Sequence, residues 1–434
     1  MASLVKQPPL FPILLVNFVG TLGFSIVLPF LVFVVMKFGG NAIVYGLLAA
    51  TYPAFQLIGA PLLGKWSDIY GRKKVLLLSN VGTAVGWILF LFALFLPYEK
   101  FSIHIAFLGT FVFIVPLFVL FLARAIDGIT GGNISIANAY LADLSSDSTR
   151  SKNFGKMAIS SNLGFIVGPA LAGILGGTIY GAILPVLAAL ILSLVTLIVI
   201  GFLLRESKPP SKELLVPQEA TIRKVFSQEC RDCYSDASTK KPRLQDVFTL
   251  KRIPFLLVLY FLIFLGFNIY YAAFPTHAAN DLKWSVTQLG IFYAVLSGIM
   301  VLIQGPVLRK ALKKFSEEKL VVIGSIILGA NFILFASNNI VSVGSAVILF
   351  AVGNGLMWPS FMSILSRRAG SKLQGAVQGV AGSFGGLASI VGLSLGGFLY
   401  NSIGGATFLI SAGVIFIVFI MSFRLLKNGN SDLV

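Results

Sequence analysis

The segment Leu122–Asp143, LARAIDGITGGNISIANAYLAD, carries ionisable side chains deep inside an otherwise apolar stretch. At about 100° per residue, Arg124, Asp127, Gly128, Gly131, Ser135, Asn138 and Ala142 fall within roughly one third of a helix circumference, leaving Ile126, Ile129 and Tyr140 elsewhere. An Asp or Arg at a bilayer centre costs roughly 2.5–3.5 kcal/mol on insertion scales, so both must face protein or a watery cavity and are functional candidates. Three residues apart, they can pair. The chemistry open to them is proton carriage by Asp127 against Arg124. The alternative is a structural ion pair that lets the helix sit in its bundle.

Positioning such a pair requires a membrane bundle, and the composition provides one. The 434 residues are 57% hydrophobic and 11% charged, with a mean hydropathy of +0.92, against roughly 25% charged residues in a soluble domain. About twelve apolar runs are each long enough to cross a hydrocarbon core. The net charge of +17 would suggest nucleic acid in a soluble chain. Here only Lys37, Lys100 and Lys283 fall outside and Arg124 falls within a span, while the remaining Lys and Arg gather on one side. The positive-inside rule makes that side cytoplasmic, with both termini inside and no nucleic-acid partner. The first run is full-length and has no small-residue cleavage site, so it is read as span 1 rather than a signal peptide.

The reading is all-α: an N-terminal six-helix bundle (1–205), a cytoplasmic linker (206–252) rich in Lys, Arg, Ser and Pro, and a C-terminal six-helix bundle (253–434). Cys230 and Cys233 lie in the linker as C-x-x-C, with no further Cys to complete a metal site and in a compartment unsuited to a structural disulfide. Val216–Phe226 is expected as a short surface helix. Phe101–Val115 is expected to lengthen the outer approach to span 4. His277 is expected as a solvated rim residue at the outer end of span 7. No metal, cofactor or enzymatic nucleophile is implied.

Gly59–Lys74 ends in G-K-W-S-D-I-Y-G-R-K-K. This resembles the loop 2–3 signature of the major facilitator superfamily, matched by Gly64, Asp68, Gly71, Arg72 and Lys73; Ile69 stands where the family usually has a basic residue. Arg124-Ala-Ile-Asp127-Gly128 resembles the family's span 4 signature, although Asp127 replaces a residue that is more often neutral. Asp143 with Arg150 and Gly155 resembles the loop 4–5 pattern, which implies an Arg72–Asp143 pair and a cytoplasmic gate. Gly164-Phe-Ile-Val-Gly168-Pro169-Ala-Leu-Ala-Gly173 resembles the span 5 antiporter signature, with small residues that let a neighbouring helix approach and a proline that invites a kink.

The second half repeats the first weakly, as two bundles related by an axis along the membrane normal would. Gly305-Pro306 aligns with Ala60-Pro61, Asn354-Gly355 with Asp127-Gly128, and Gly392–Gly397 with Gly168–Gly173. No acid matches Asp68, so the charged machinery is expected in the N-terminal half alone. Neutral polar and aromatic residues then line the pathway: Asn17, Gln56, Asn138, Asn268, Tyr271, Gln304, Asn354, Trp358 and Gln378. Such a lining suits an amphipathic organic molecule.

The resemblance covers all twelve spans and points to the drug/proton antiporter branch that includes tetracycline exporters. It implies a monomer in a lipid bilayer, most simply a bacterial inner membrane, that exchanges protons for an amphipathic small molecule. A pH-independent facilitator, a proton-coupled organic-solute symporter and a transporter-like receptor or scaffold remain open as alternatives.

Overall fold

A computed structural model describes residues 10–105, 109–145, 147–207, 244–250, 252–337 and 339–426. Cys230, Cys233 and the expected helix at Val216–Phe226 lie outside these residues. In hydrocarbon every backbone N–H and C=O must be satisfied within the chain, so apolar runs of this length become helices. The first six passes are α1 (Phe11–Lys37), α2 (Ala42–Tyr70), α3 (Arg72–Phe95), the pair α4 (Val115–Ile129) and α5 (Asn133–Leu144), α6 (Asp147–Gly176) and α7 (Ile183–Leu203).

A short helix, α8 (Leu244–Thr249), leads into α9 (Ile253–Asn280). Next comes α10 (Val286–Leu302), which continues through a π-helical turn at Ile303–Val307 into α11 (Leu308–Ala311), and then α12 (Glu317–Phe335). α13 (Ile340–Ile403) makes two passes joined at Gly370, where φ is +66°, a value glycine adopts without a Cβ clash. After a turn at Gly404–Ala406, α14 (Thr407–Leu426) completes the twelfth pass. The chain is a multi-pass integral membrane protein. Lys65, Arg72, Lys73, Lys152, Arg309 and Arg367 gather at one end of the bundle, here termed the basic end.

The opposite end carries a departure from the sequence expectation. Phe101–Val115, expected to lengthen the outer approach to span 4, does so largely as a hairpin, an element absent from the all-α reading. β1 (Lys100–Ile105) and β2 (Gly109–Ile114) pair antiparallel, with Lys100 opposite Ile114 and Ile105 opposite Gly109. The physical signal is alternation of apolar with polar residues across Phe101-Ser-Ile-His-Ile105, a period of two rather than 3.6.

The two halves touch at the hairpin end and part toward the basic end. α2 and the second pass of α13 run antiparallel; a Cβ on Gly46 would lie 2.5 Å from Leu393 O and 2.9 Å from Gly397 Cα. Further along, Ala50 packs with Leu393, and a Cβ on Gly386 would lie 3.2 Å from Leu57. The next pair along, Gly64 and Gly379, both face open space. α6 and α10 behave alike. A Cβ on Gly290 would sit 2.5 Å from Gly173 Cα, and Thr287 Oγ1 donates to Gly173 O at 2.9 Å, whereas Gly155, Gly298 and Gly305 face open space. Small residues thus set how closely the halves approach, as helix packing in lipid favours. The structure is sealed at the hairpin end and open at the basic end.

Candidate functional site

Span 4 is discontinuous. α4 ends at Ile129, Thr130–Gly132 forms a turn, and α5 starts at Asn133. The exposed carbonyls are taken up by neighbours: Ser79 Oγ donates to Thr130 O at 2.5 Å and Gln56 Nε2 to Gly131 O at 2.8 Å. Irregular backbone at membrane depth is tolerated where protein satisfies it in this way. The break rests on tight contact with α2: a Cβ on Gly128 would lie 2.5 Å from Tyr52 O, and one on Gly59 1.9 Å from Ile129 O. The single polar face expected across Arg124–Ala142 is therefore divided. Arg124 and Asp127 stand on α4, Ser135 and Asn138 on α5.

Arg124 Nη1 lies 3.2 Å from Asp127 Oδ2, and both side chains are largely buried. The guanidinium also sits 4.7 Å from the centre of the Tyr52 ring, a cation–π contact that strengthens when desolvated. Tyr52 is fixed in turn by its hydroxyl, which accepts from Gln56 Nε2 at 3.0 Å, and by Phe24, whose ring centre is 5.8 Å away. Thr83 lies beside the Asp127 carboxylate. A cavity of about 20 Å³ beside it is lined by Gly20, Asn80, Thr83, Asp127, Asn133 and Ser193, room for a water molecule among polar partners. Arg124 Nε has no hydrogen-bond partner among the described residues. A carboxylate with one counterion, one hydroxyl and space for water can gain or lose a proton, and doing so changes its hold on Arg124.

At the basic end, Arg72 organises the loop 2–3 signature. Its guanidinium meets Asp68 Oδ1 at 2.6 Å and Asp143 Oδ2 at 3.0 Å, and donates to Ser67 Oγ at 2.6 Å. The Arg72–Asp143 pair implied by the resemblance is formed. Gly71 has φ of +100°, which a residue with a Cβ rarely adopts, and this turn aims the first amides of α3 outward. Glu206 binds there. Its two carboxylate oxygens accept from Arg72 N at 2.7 Å and Lys73 N at 3.1 Å, while Lys73 Nζ donates to Gly201 O at 2.7 Å. Ser207 Oγ donates to Asp143 Oδ2 at 3.2 Å. Arg150 lies in the first turns of α6.

Sequence reasoning assigned Glu206 to the linker. The available signal was an acid two residues after Leu204, the last apolar residue of span 6. A carboxylate at a helix N-terminus contributes roughly 0.3–1 kcal/mol, up to about 2 when partly buried. Glu206→Ala should therefore lower the thermal unfolding midpoint, and Glu206→Gln, which keeps one acceptor, should lower it less. Equal midpoints in both variants and the parent would show that the contact does not hold the turn.

The span 5 motif serves two contacts. Gly164 and Gly168 admit α1, where a Cβ would fall 2.9 Å from Phe18 O and 2.1 Å from Ser25 Oγ respectively; Ser25 Oγ donates to Gly164 O at 2.9 Å. Pro169 and Gly173 abut Gly290 across the halves.

The residues read as cavity lining divide between ties and open positions. Asn17 is buried and joins α1 to α6, donating to Ser161 Oγ at 2.7 Å and Met157 O at 3.1 Å. Asn268 joins α9 to α13 through Ser389 Oγ at 3.0 Å. Asn354 donates to Met300 Sδ at 3.8 Å, and Gln304 lies within the π-helical turn. Asn138 and Gln378 are partly exposed. Tyr271 packs on Phe267 and Tyr270. Trp358 belongs to an aromatic cluster that the sequence reading only partly named: Tyr260 stacks on Phe264 at 4.8 Å, and Trp358 stands edge-on to both at 5.4 Å.

Two expectations fail at the hairpin end. His277 is fully buried rather than solvated, because α9 extends to Asn280 and α14 covers the ring with Phe408. The C-terminal half also has ionisable groups in contact: His277 Nδ1 lies 2.8 Å from Asp281 Oδ2, and the Tyr400 hydroxyl donates to the same oxygen.

The sequence matches the model of the Major Facilitator Superfamily over residues 13–393 and 256–433. The tetracycline resistance protein, class B, of Escherichia coli is 27% identical over 394 residues, which is 89% of this chain and 87% of that protein. Multidrug resistance protein 2 of Bacillus subtilis (strain 168) is 27% identical over 412 residues, 92% of this chain and 90% of the relative. A crystal structure of a D-xylose–proton symporter superposes with a TM-score of 0.70 at 16% identity, covering 95% of this chain and 97% of that one. With twelve passes among the described residues, the loop 2–3 cluster and a sequence match spanning nearly its whole length, the chain belongs to the Major Facilitator Superfamily of membrane transporters.

Proposed function

We propose that this transporter exports an amphipathic small organic molecule in exchange for protons, by alternating access, as a monomer in a bacterial inner membrane with its basic end and both termini in the cytoplasm. The observation that carries the reading is the Arg124–Asp127 pair beside a break in span 4 and a water-sized cavity. Relatives named for tetracycline and multidrug resistance support the direction and the substrate class. The aromatic cluster of Tyr260, Phe264 and Trp358 supports an apolar cargo with a flat surface.

In this mechanism protons from outside neutralise Asp127 and loosen its hold on Arg124 as cargo leaves. Cargo bound from inside then favours release of the proton. When the hairpin end opens, Gly64–Lys74 with Asp143 and Arg150 forms the gate that closes the basic end. One charge moved through 100 mV is worth roughly 2.3 kcal/mol, enough to bias two conformers.

The test uses purified protein in liposomes with an imposed pH gradient and a panel of cationic, zwitterionic and anionic amphiphiles, tetracycline included. Accumulation that follows the gradient and collapses with a protonophore is the expected result. Flux that ignores the gradient would assign a facilitator instead, with Arg124–Asp127 as a structural pair.

A further inference from the structure

We propose that His277, Asp281 and Tyr400 form a second proton-binding site, in the C-terminal half, which holds the hairpin-end seal closed and releases it when protonated. The site is distinct from Arg124–Asp127, which lies in the other half of the molecule.

The geometry joins two parts of the chain. His277 is in the last turn of α9, Asp281 caps that helix, and Tyr400 is near the end of α13. Asp281 Oδ2 accepts from both His277 Nδ1–H and the Tyr400 hydroxyl, and the Tyr400 oxygen is 3.3 Å from the same ring nitrogen. Three residues before Tyr400, Gly397 packs against Gly46 across the halves. The tie therefore fixes the part of α13 that forms the seal. Tyr400 also lines a cavity of about 370 Å³ between the halves, together with Asn41, Tyr45, Thr276, Asn280 and Asn401. Thr276 Oγ1 is buried there without a partner, and the Asp281 side chain is 38% exposed. Water in that cavity would give protons a route from the hairpin side.

The other ring nitrogen decides the direction of the effect. His277 Nε2 is buried with no hydrogen-bond partner among the described residues, a state suited to a bare lone pair and unsuited to an N–H. The titratable groups facing the ring are Asp281 on its own helix and Tyr400 on α13; α14 presents Phe408, and the turn before it Gly405. An added proton on the imidazole places a hydrogen on Nε2, which has no acceptor among the described residues. The closed form buries that N–H unpaired, so acid on the hairpin side favours opening.

The experiment measures the seal and needs no transport. Full-length protein with Cys230 and Cys233 replaced by Ser would carry spin labels at Lys37→Cys and Ser402→Cys, one on each half, in lipid nanodiscs. Pulsed electron–electron distances would then be recorded from pH 8 to pH 5. The expected result is a rise in the longer-distance population as pH falls, with a slope of at most about tenfold in the open-to-closed ratio per pH unit, the limit for one proton. That rise should vanish in His277→Gln and flatten in Asp281→Asn and Tyr400→Phe. The Tyr400 variant keeps the test alive if removing the imidazole impairs folding. Asp127→Asn takes the span 4 acid out of the titration, and a pH-driven rise that depends on His277 should still be left; its loss there would place the sensor at the span 4 acid and overturn the proposal. Distances that ignore pH, or a His277→Gln profile equal to the parent's, would overturn it as well.

Discussion

An Asp127→Asn protein is expected to move cargo down its gradient but not accumulate it against one. The substitution keeps the shape and one acceptor oxygen while making the site permanently neutral, as if always protonated. One proton moving through 100 mV supplies roughly 2.3 kcal/mol, which corresponds to a roughly 50-fold accumulation ratio. That ratio should fall to near one in liposomes, and exchange of labelled for unlabelled cargo should continue. Stability should suffer less than in a charge reversal. Arg124 loses its counterion, and breaking a buried pair costs about 3–5 kcal/mol when nothing compensates, but the amide still accepts from Nη1 and the Tyr52 ring still lies 4.7 Å from the guanidinium. The amount of folded protein recovered checks this second half. Accumulation driven by the pH gradient as steeply as in the parent would remove Asp127 from the coupling and leave the pair a structural one.

The second large effect is expected from Gly290→Val. In the sealed form a Cβ at this position would already lie 2.5 Å from Gly173 Cα and 2.7 Å from Pro169 O, so two further methyl groups have nowhere to go. Overpacking of this kind costs about 1–3 kcal/mol or more, which lowers the sealed-to-open ratio roughly fivefold to 150-fold. A membrane-impermeant thiol reagent should therefore label a cysteine at the hairpin-end face of α10 faster in Gly290→Val than in the parent, and cargo turnover should fall steeply. Gly298→Val is the control, because a side chain there faces open space in the same form; its labelling rate should match the parent's. Equal rates in all three would mean that the α6–α10 contact does not govern closure.

The reach of sequence reasoning followed the range of the interactions involved. The passes were legible because each is a continuous apolar run whose length the bilayer sets. The pairing of Arg124 with Asp127 was legible because three residues on a helix bring side chains together. The interruption after Ile129 was not: Gly131 was placed on the polar face of one continuous helix, and only the contact of Gly59 with Ile129 O, made by a distant pass, shows that the backbone must turn. The hairpin at Lys100–Ile114 was missed for a different reason, since a two-residue period was read against a helical background. His277 and Asp281 stand four apart, a spacing that suggests contact on a helix, yet the burial that gives the pair its character comes from Tyr400 and Phe408, more than a hundred residues away. Glu206 was likewise visible as an acid but not as a cap, because its partners belong to α3.

The turn at Thr130–Gly132 gives a single pass two independently anchored limbs. The lower limb is moored at Asp143 to Arg72, and the upper limb carries the Arg124–Asp127 pair, which would gain a net charge, and so feel the transmembrane field, when Asp127 takes a proton. A swing about this joint can shift that charge by a short arc while the mooring stays fast, so reading the field and latching the basic end need not be one motion.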